Sequence, residues 1–197
     1  MKKIIIGITG ASGVIYSIKL LEFFKKNRIK TYVIVSDAAK KIIDIETEYK
    51  FETIVSLSDF VYNNNEMEAK IASGSFLSDG MIVIPCSIKT LSAVANSYNN
   101  NLITRAADVT LKEGRKLVMM IRETPFHKGH LKLMLKVADN GACILPAIPA
   151  FYHRPKTIED IINQTLGKIC DYLQINNNLF KRWNGIDFKA GQPTLFE

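Results

Sequence analysis

Apolar residues fall along this chain in short unbroken runs, each followed by a polar turn and then by a segment whose apolar positions stand three and four apart. The runs read as buried strands and the spaced segments as amphipathic helices. Strands are expected at residues 2–8, 31–35, 81–84, 117–121 and 142–145. Helices are expected at 13–26, 38–48, 90–96, 103–112, 127–139 and 157–174, with Asn99-Asn100-Asn101 as a turn between the third and the fourth. Residues 59–78 are polar, carry Asn63-Asn64-Asn65 and Ser73-Gly74-Ser75, and read as a long loop with room for one short helix. Strands that are apolar at every position need cover on both faces. That is the pattern of a parallel sheet between two helix layers, a three-layer α/β/α fold. No repeat, linker or shift in composition divides the chain, so one domain is expected.

In an open parallel sheet a ligand binds beyond the carboxyl ends of the strands, where the strand order reverses. The segments at those ends are Thr9 to Gly13, Ser36-Asp37, Pro85 to Thr90, Arg122-Glu123 and Pro146 to Tyr152. The first belongs to Gly7-Ile8-Thr9-Gly10-Ala11-Ser12-Gly13, a glycine turn between strand and helix of the sort that takes a phosphate on free N–H groups and a helix dipole. Its Gly-x-x-Gly-x-x-Gly spacing is not the dinucleotide fingerprint, and no Gly-Lys-Ser/Thr follows. Anion or nucleotide binding and a plain tight turn both remain open. Ser87, Thr90, Lys112, Arg122 and Glu123 would together offer hydroxyls, cations and one carboxylate, which suits a phosphorylated ligand undergoing chemistry. The competing reading makes each of them a helix cap or a solvated surface group.

Composition narrows the classes. At 197 residues with 47% hydrophobic content the chain can build one full core. No apolar run reaches the roughly 18 residues that span a bilayer, and the first residues lack a cleavable signal layout, so a cytoplasmic location is expected. Cys86, Cys143 and Cys170 stand far apart without a Cys-x-x-Cys pair, against both a disulfide framework and a zinc site. Cys86 reads as a buried inert thiol rather than a nucleophile. His127 and His130 have helical spacing but no third ligand, so no metal is expected. The net charge of +7 comes from scattered pairs such as Lys25-Lys26, Lys40-Lys41 and Arg115-Lys116, without aromatic interleaving. Nucleic acid is therefore not expected, and the excess is assigned to acidic small ligands and solvated helix faces.

Several ordered blocks add a resemblance. They are Gly10-Ala11-Ser12-Gly13, Ser36 with Ala38-Ala39, Glu46-Thr47, Ser73-Gly74-Ser75, Pro85-Cys86-Ser87-Ile88-Lys89-Thr90-Leu91-Ser92, Asn101-Leu102, Arg105-Ala106-Ala107-Asp108, Leu111-Lys112-Glu113, Arg122-Glu123-Thr124-Pro125-Phe126, Phe151-Tyr152-His153-Arg154-Pro155 and Arg182-Trp183. On these the chain resembles the flavin prenyltransferases of the UbiX type, which are similar in fold to the flavin-containing cysteine decarboxylases. The resemblance implies a Rossmann-like (flavodoxin-like) flavoprotein domain over residues 1–185 with a tail at 186–197. It implies FMN, in reduced form and as a substrate, joined to the dimethylallyl group of dimethylallyl monophosphate without a metal. The product would pass to a UbiD-type decarboxylase, and the enzyme would be a homo-oligomer, a dodecamer, with flavin at subunit contacts.

By the same resemblance Gly10, Ala11, Ser12, Ser36, Ser87, Ile88, Lys89, Thr90 and Arg122 would contact FMN, and Lys112, Glu123, Tyr152 and Lys168 would meet the substrate phosphate. Catalytic roles fall to Glu123, Lys112, Ser12, Glu46 and Trp183. Cations and hydroxyls would stabilise charge on the departing phosphate, Glu123, alone or with the leaving phosphate, would relay a proton, and the face of Trp183 or of the flavin would stabilise the allylic cation. Lys168 stands where many members have arginine, so a two-pronged phosphate grip becomes a point contact. Two rivals are a flavin-dependent decarboxylase of the cysteine-decarboxylase type and a non-catalytic FMN-binding decarboxylase subunit. The first needs an early catalytic histidine, whereas the first histidine here is His127. Retention of Lys112, Glu123 and Tyr152 favours catalysis over the second.

Overall fold

The structure, a computed structural model, describes residues 1–183 and 185. Six strands form one parallel sheet in the order β3-β2-β1-β4-β5-β6. They are β1 (Lys3–Ile8), β2 (Lys30–Val35), β3 (Phe60–Asn63), β4 (Gly80–Cys86), β5 (Leu117–Ile121) and β6 (Cys143–Ile144). The helices are α1 (Ile15–Lys26), α2 (Asp37–Glu46), α3 (Phe51–Leu57), α4 (Ile88–Ala95), α5 (Leu102–Lys112), α6 (Lys128–Asp139) and α7 (Ile158–Tyr172). The expected α/β/α sandwich is the observed one. Alternate residues of each central strand feed opposite layers. Ile4, Ile6 and Ile8 pack with Ile18, Leu21, Phe24 and Leu166 on one face, and Ile5, Met81 and Val83 pack with Leu91, Ile103 and Ala107 on the other.

Two elements went unread in the sequence. α3 lies in a stretch assigned to nothing, and β3 lies inside the expected loop, together with a short 3-10 turn at Lys70–Ala72. β3 is an edge strand with no fully buried residue, so it lacks the apolar run that marked the others. Tertiary contacts hold it instead. Tyr32 stacks on Phe60 with ring centroids 4.9 Å apart, Phe76 meets Tyr32 edge-on at 4.7 Å, and the Lys70 ammonium lies 4.2 Å from the Phe60 ring centre. Asn64 then ties the end of β3 to the start of α5: its carbonyl accepts from Leu102 N at 2.8 Å and its side chain from Ile103 N at 3.0 Å. The tail expected at 186–197 lies outside the described residues.

The strand order reverses between β1 and β4, and there a buried threonine fastens the carboxyl ends of these two strands. Thr9 Oγ1 donates to the Pro85 carbonyl at 2.7 Å and accepts from Ser87 N at 2.9 Å. Just behind it the buried Ser17 hydroxyl donates to the Ile84 carbonyl at 2.7 Å. A Thr9→Val change keeps the volume but leaves the Ser87 amide without its partner and the Pro85 carbonyl with only the 3.4 Å bond from residue 9 N, each loss costing about 1–3 kcal/mol. We expect a drop of about 2–4 kcal/mol in unfolding free energy, read by urea denaturation. A change within about 0.5 kcal/mol would show that the clasp is dispensable.

Candidate functional site

Three loops meet at the carboxyl rim of β1, β2 and β4. Gly10 lies against the first turn of α2 so closely that a Cβ there would sit 2.4 Å from the Ala38 Cβ. Gly13 takes φ +95°, a left-handed conformation that favours glycine, and its N–H donates to the Glu46 carboxylate at 2.8 Å. Ser36 caps α2, its hydroxyl accepting from Ala39 N at 3.1 Å, and Ser87 caps α4, accepting from Thr90 N at 3.3 Å. Both helices therefore aim their positive ends and first-turn amides at the space beyond the glycine loop. Arg122 follows β5, anchored by its N–H to the Cys86 carbonyl at 3.2 Å. Its Nε is buried without a partner among the described residues, and its Cγ stands 3.9 Å from where a Gly13 Cβ would lie.

One rim thus gathers Gly10, Ala11, Ser12, Ser36, Ser87, Thr90 and Arg122. Ile88 and Lys89 occupy the first turn of α4, where their backbone faces the rim, while the exposed Lys89 side chain lines grooves beside α4. Glu123 is next to Arg122, its carboxylate accepting from Thr124 N at 3.0 Å. This donor-rich, cation-bearing rim fits a phosphorylated flavin such as FMN, and the orphaned Arg122 Nε is the group such an anion would satisfy.

A second cluster adjoins the first through α7. Tyr16, whose N–H donates to the Gly13 carbonyl at 3.1 Å, adjoins Thr165 and is pushed up in pKa mainly by burial. The preceding residue, Gln164, donates its amide to the Tyr152 hydroxyl at 3.3 Å, and Lys168 is exposed one turn further along. The loop carrying Tyr152 is fixed by a turn from Arg154 N to the Phe151 carbonyl and by a capping box in which Thr157 and Asp160 bond each other reciprocally. Trp183 stands edge-on to Tyr152 at 6.4 Å. Its segment is strapped to α7: Arg182 grips Asp171 through two bonds of 2.8 and 2.7 Å, and Asn177 donates to the same carboxylate at 2.9 Å. Gly167 leaves the space that Phe180 fills, since a Cβ there would lie 2.3 Å from that ring. A hollow of about 490 Å³ opens between Tyr152, His153, Arg182 and Trp183.

Lys112 is elsewhere. α5 starts beside Asn64 at the carboxyl rim and runs to the amino rim, where Met81 N donates to the Lys116 carbonyl at 2.8 Å. Lys112 therefore pairs with Glu113 and lines a hollow of about 630 Å³ with Ser73, Gly74, Ser75 and Arg105, a sheet's length from Arg122. Within one chain it joins neither Glu123 nor Tyr152. Cys86 is fully buried, and burial pushes its thiol far above the usual range, which fits an inert role. The His127 and His130 rings lie 3.6 Å apart, yet among the described residues no three His, Cys, Asp or Glu converge as a metal site would require. The sequence did not single out Thr9, Tyr16, Gln164 or Asp171. Their importance comes from contacts between distant segments, and only Thr9 lay in a suspect loop.

Comparison with known proteins agrees with this picture. The family model described as Flavoprotein matches residues 1–183. The chain is 54% identical over 183 residues to the flavin prenyltransferase UbiX of Thauera aromatica, covering 93% of this chain and 94% of that protein. Among solved structures it is similar to AnUbiX (PadA1) in complex with FMN and dimethylallyl pyrophosphate, with TM-score 0.92, 42% identity, and coverage of 94% of this chain and 99% of that one. It is also similar to a dodecameric FMN-dependent UbiX-like decarboxylase from Escherichia coli O157:H7, with TM-score 0.90, 41% identity, and coverage of 93% and 100%.

The strap has a pH signature. Hydrogen bonding to Arg182 holds the Asp171 carboxyl below its ordinary value of 3.8. A lowered folded-state pKa means the pair contributes fully above that ordinary value and is lost as pH falls through the lowered one. Emission from Trp183, the only tryptophan, should stay constant from neutrality to about pH 4 and shift red below it. Asp171→Asn should show the red-shifted emission already at pH 7; unchanged emission in that variant would disprove the strap's hold on Trp183.

Proposed function

The chain belongs to the flavoprotein family, in its flavin prenyltransferase branch, and from that premise we propose that it joins the dimethylallyl group of dimethylallyl monophosphate to N5 and C6 of reduced FMN. The observation that carries the reading is the rim itself, where two capped helix starts and a glycine loop surround the unpartnered Arg122 Nε. Reduced FMN supplies the nucleophilic ring positions. The chain's part is to hold two anionic molecules edge to edge and to manage charge as the allylic C–O bond breaks and its electron pair leaves with phosphate.

First-turn amides of α2 and α4, with Ser36, Ser87 and Thr90, hold the flavin's phosphate and hydroxyl groups, and Arg122 faces the gap between flavin and substrate. Tyr152 and Lys168 receive the substrate phosphate, preorganised to stabilise the charge that develops on it. Trp183 presents an aromatic surface to the allylic cation. Glu123 would take the proton that leaves flavin C6 once the new ring between N5 and C6 has closed. Glu46 and Ser12 keep the glycine loop in shape beside the flavin, the former through the Gly13 amide.

Lys112 enters this site from a second copy. Its distance from Arg122 in one chain and its place at an open, polar hollow are what support that reading. The assembly is then a homo-oligomer, a dodecamer like the similar Escherichia coli protein. A UbiD-type decarboxylase takes the prenylated flavin, in the cytoplasm; among the described residues no helix is long and apolar enough to cross a membrane. Residues 1–185 make up the flavoprotein domain.

Anaerobic incubation with reduced FMN and dimethylallyl monophosphate, followed by mass analysis, should yield a flavin heavier by one prenyl unit. An unchanged flavin mass with FMN bound would favour the non-catalytic subunit. Glu123→Gln should retain FMN affinity within about twofold and slow prenyl transfer by about 10²-fold or more; loss of FMN instead would make Glu123 structural.

A further inference from the structure

Gln164 is only 7% exposed, in a helix whose neighbouring positions Ile162, Leu166 and Ile169 belong to the apolar core. A carboxamide in such surroundings is costly unless it is used. Its hydrogen bond goes to the hydroxyl of Tyr152, a residue that is itself 45% exposed and faces the hollow with Trp183. We infer that Gln164 is a positioning residue that makes Tyr152 a dedicated hydrogen-bond donor toward the substrate phosphate. The inference deepens the proposed function and rests on it for the identity of the anion.

The argument is one of proton direction. A phenol oxygen carries one proton and accepts through its remaining lone pairs. When the Gln164 amide donates to that oxygen, the phenol proton must turn to the other side, away from α7 and toward the open side of the ring. If residue 164 accepted instead, the proton would turn inward and Tyr152 would offer the phosphate a lone pair. The first arrangement attracts an anion and the second repels it. Lys168 lies four residues on, one turn further along α7, and the cations lining the hollow that Tyr152 faces are Arg154, Lys181 and Arg182. The neighbouring Thr165 adjoins Tyr16, whose N–H donates to the Gly13 carbonyl at 3.1 Å, and this relates the donor to the glycine loop.

The test is a double-mutant cycle on the FMN-loaded protein, with dimethylallyl monophosphate as the varied substrate. Gln164→Leu should raise KM about tenfold with kcat within about twofold and FMN affinity unchanged, as expected for one lost oriented hydrogen bond to a charged group. Gln164→Glu, which accepts the phenol proton and adds a negative charge, should raise KM further. In a Tyr152→Phe background, Gln164→Leu should have no additional effect. A rise in KM just as large in that background, or a parallel loss of FMN affinity, would mean that Gln164 only packs the helix. Should the unaltered protein fail to prenylate flavin, the functional reading falls by itself. The positioning role is then read from inorganic phosphate titrated against Trp183 emission. There Gln164→Leu must weaken half-saturation about tenfold, and equal half-saturation overturns it.

Discussion

A single buried hydroxyl, that of Thr9, fastens the end of β1 to the end of β4 at the place where the sheet's connections turn from one side to the other. Two strands that diverge in their connections have no shared loop to keep their ends together, and the side chain adds two short bonds to the long 3.4 Å backbone contact from Thr9 N to the Pro85 carbonyl. The consequence runs outward by short steps. Fixing the amide of Ser87 fixes the cap and first turn of α4, and the adjacent Cys86 carbonyl fixes the backbone of Arg122. The α4 cap and the Arg122 backbone on this rim are thus set from the core layer beneath them, while the α2 cap is held separately by the bond from Ser36 N to the Ile8 carbonyl. Such stiffness matters for a site built from backbone amides, which are effective only when their directions are held.

Electrostatics follows from the same layout. The rim carries amides, helix ends and a guanidinium, while its acidic neighbours are engaged locally: Glu46 on Gly13 N and Glu123 on Thr124 N. Neither carboxylate forms an ion pair with Arg122 among the described residues, so the cationic character stays available to a ligand. A net charge of +7 extends that bias over the whole molecule and draws anions toward it. Two phosphorylated molecules in one pocket would repel each other without it.

Most of the sheet was legible because its central strands are buried on both faces and so spell continuous apolar runs; β1, β2, β4 and β5 appear as expected, within a residue or two at their ends. β3 was not, because an edge strand needs no such run and its support from Tyr32, Phe76 and Lys70 comes from outside the segment. The rim residues were legible for a related reason: caps and glycine turns have local signatures, and strand ends place them in space. Lys112 shows where the reasoning stops. Its sequence neighbourhood resembles that of the site, yet the direction of α5 carries it to the opposite rim, and direction is a property of the topology that no local pattern states. Gln164 and Asp171 escaped notice because a polar residue on a helix reads as solvated until its partner is known.

The geometry of α7 joins these observations. One helix presents Thr165 to Tyr16 beneath the glycine loop, Gln164 to Tyr152, Gly167 to Phe180 and Asp171 to Arg182. The glycine loop, the Tyr152 loop and the aromatic strap are therefore spaced by the pitch of a rigid element rather than by three independent loops. A transfer between two bound molecules depends on the distance between their reacting atoms to within a fraction of an ångström. Supports carried on one helix keep their mutual spacing when the loops themselves move. The small residue Gly167 lets the strap approach closely enough to share the scaffold, and the Asp171–Arg182 pair keeps it there at neutral pH, since a carboxyl with a lowered pKa is fully ionised under those conditions.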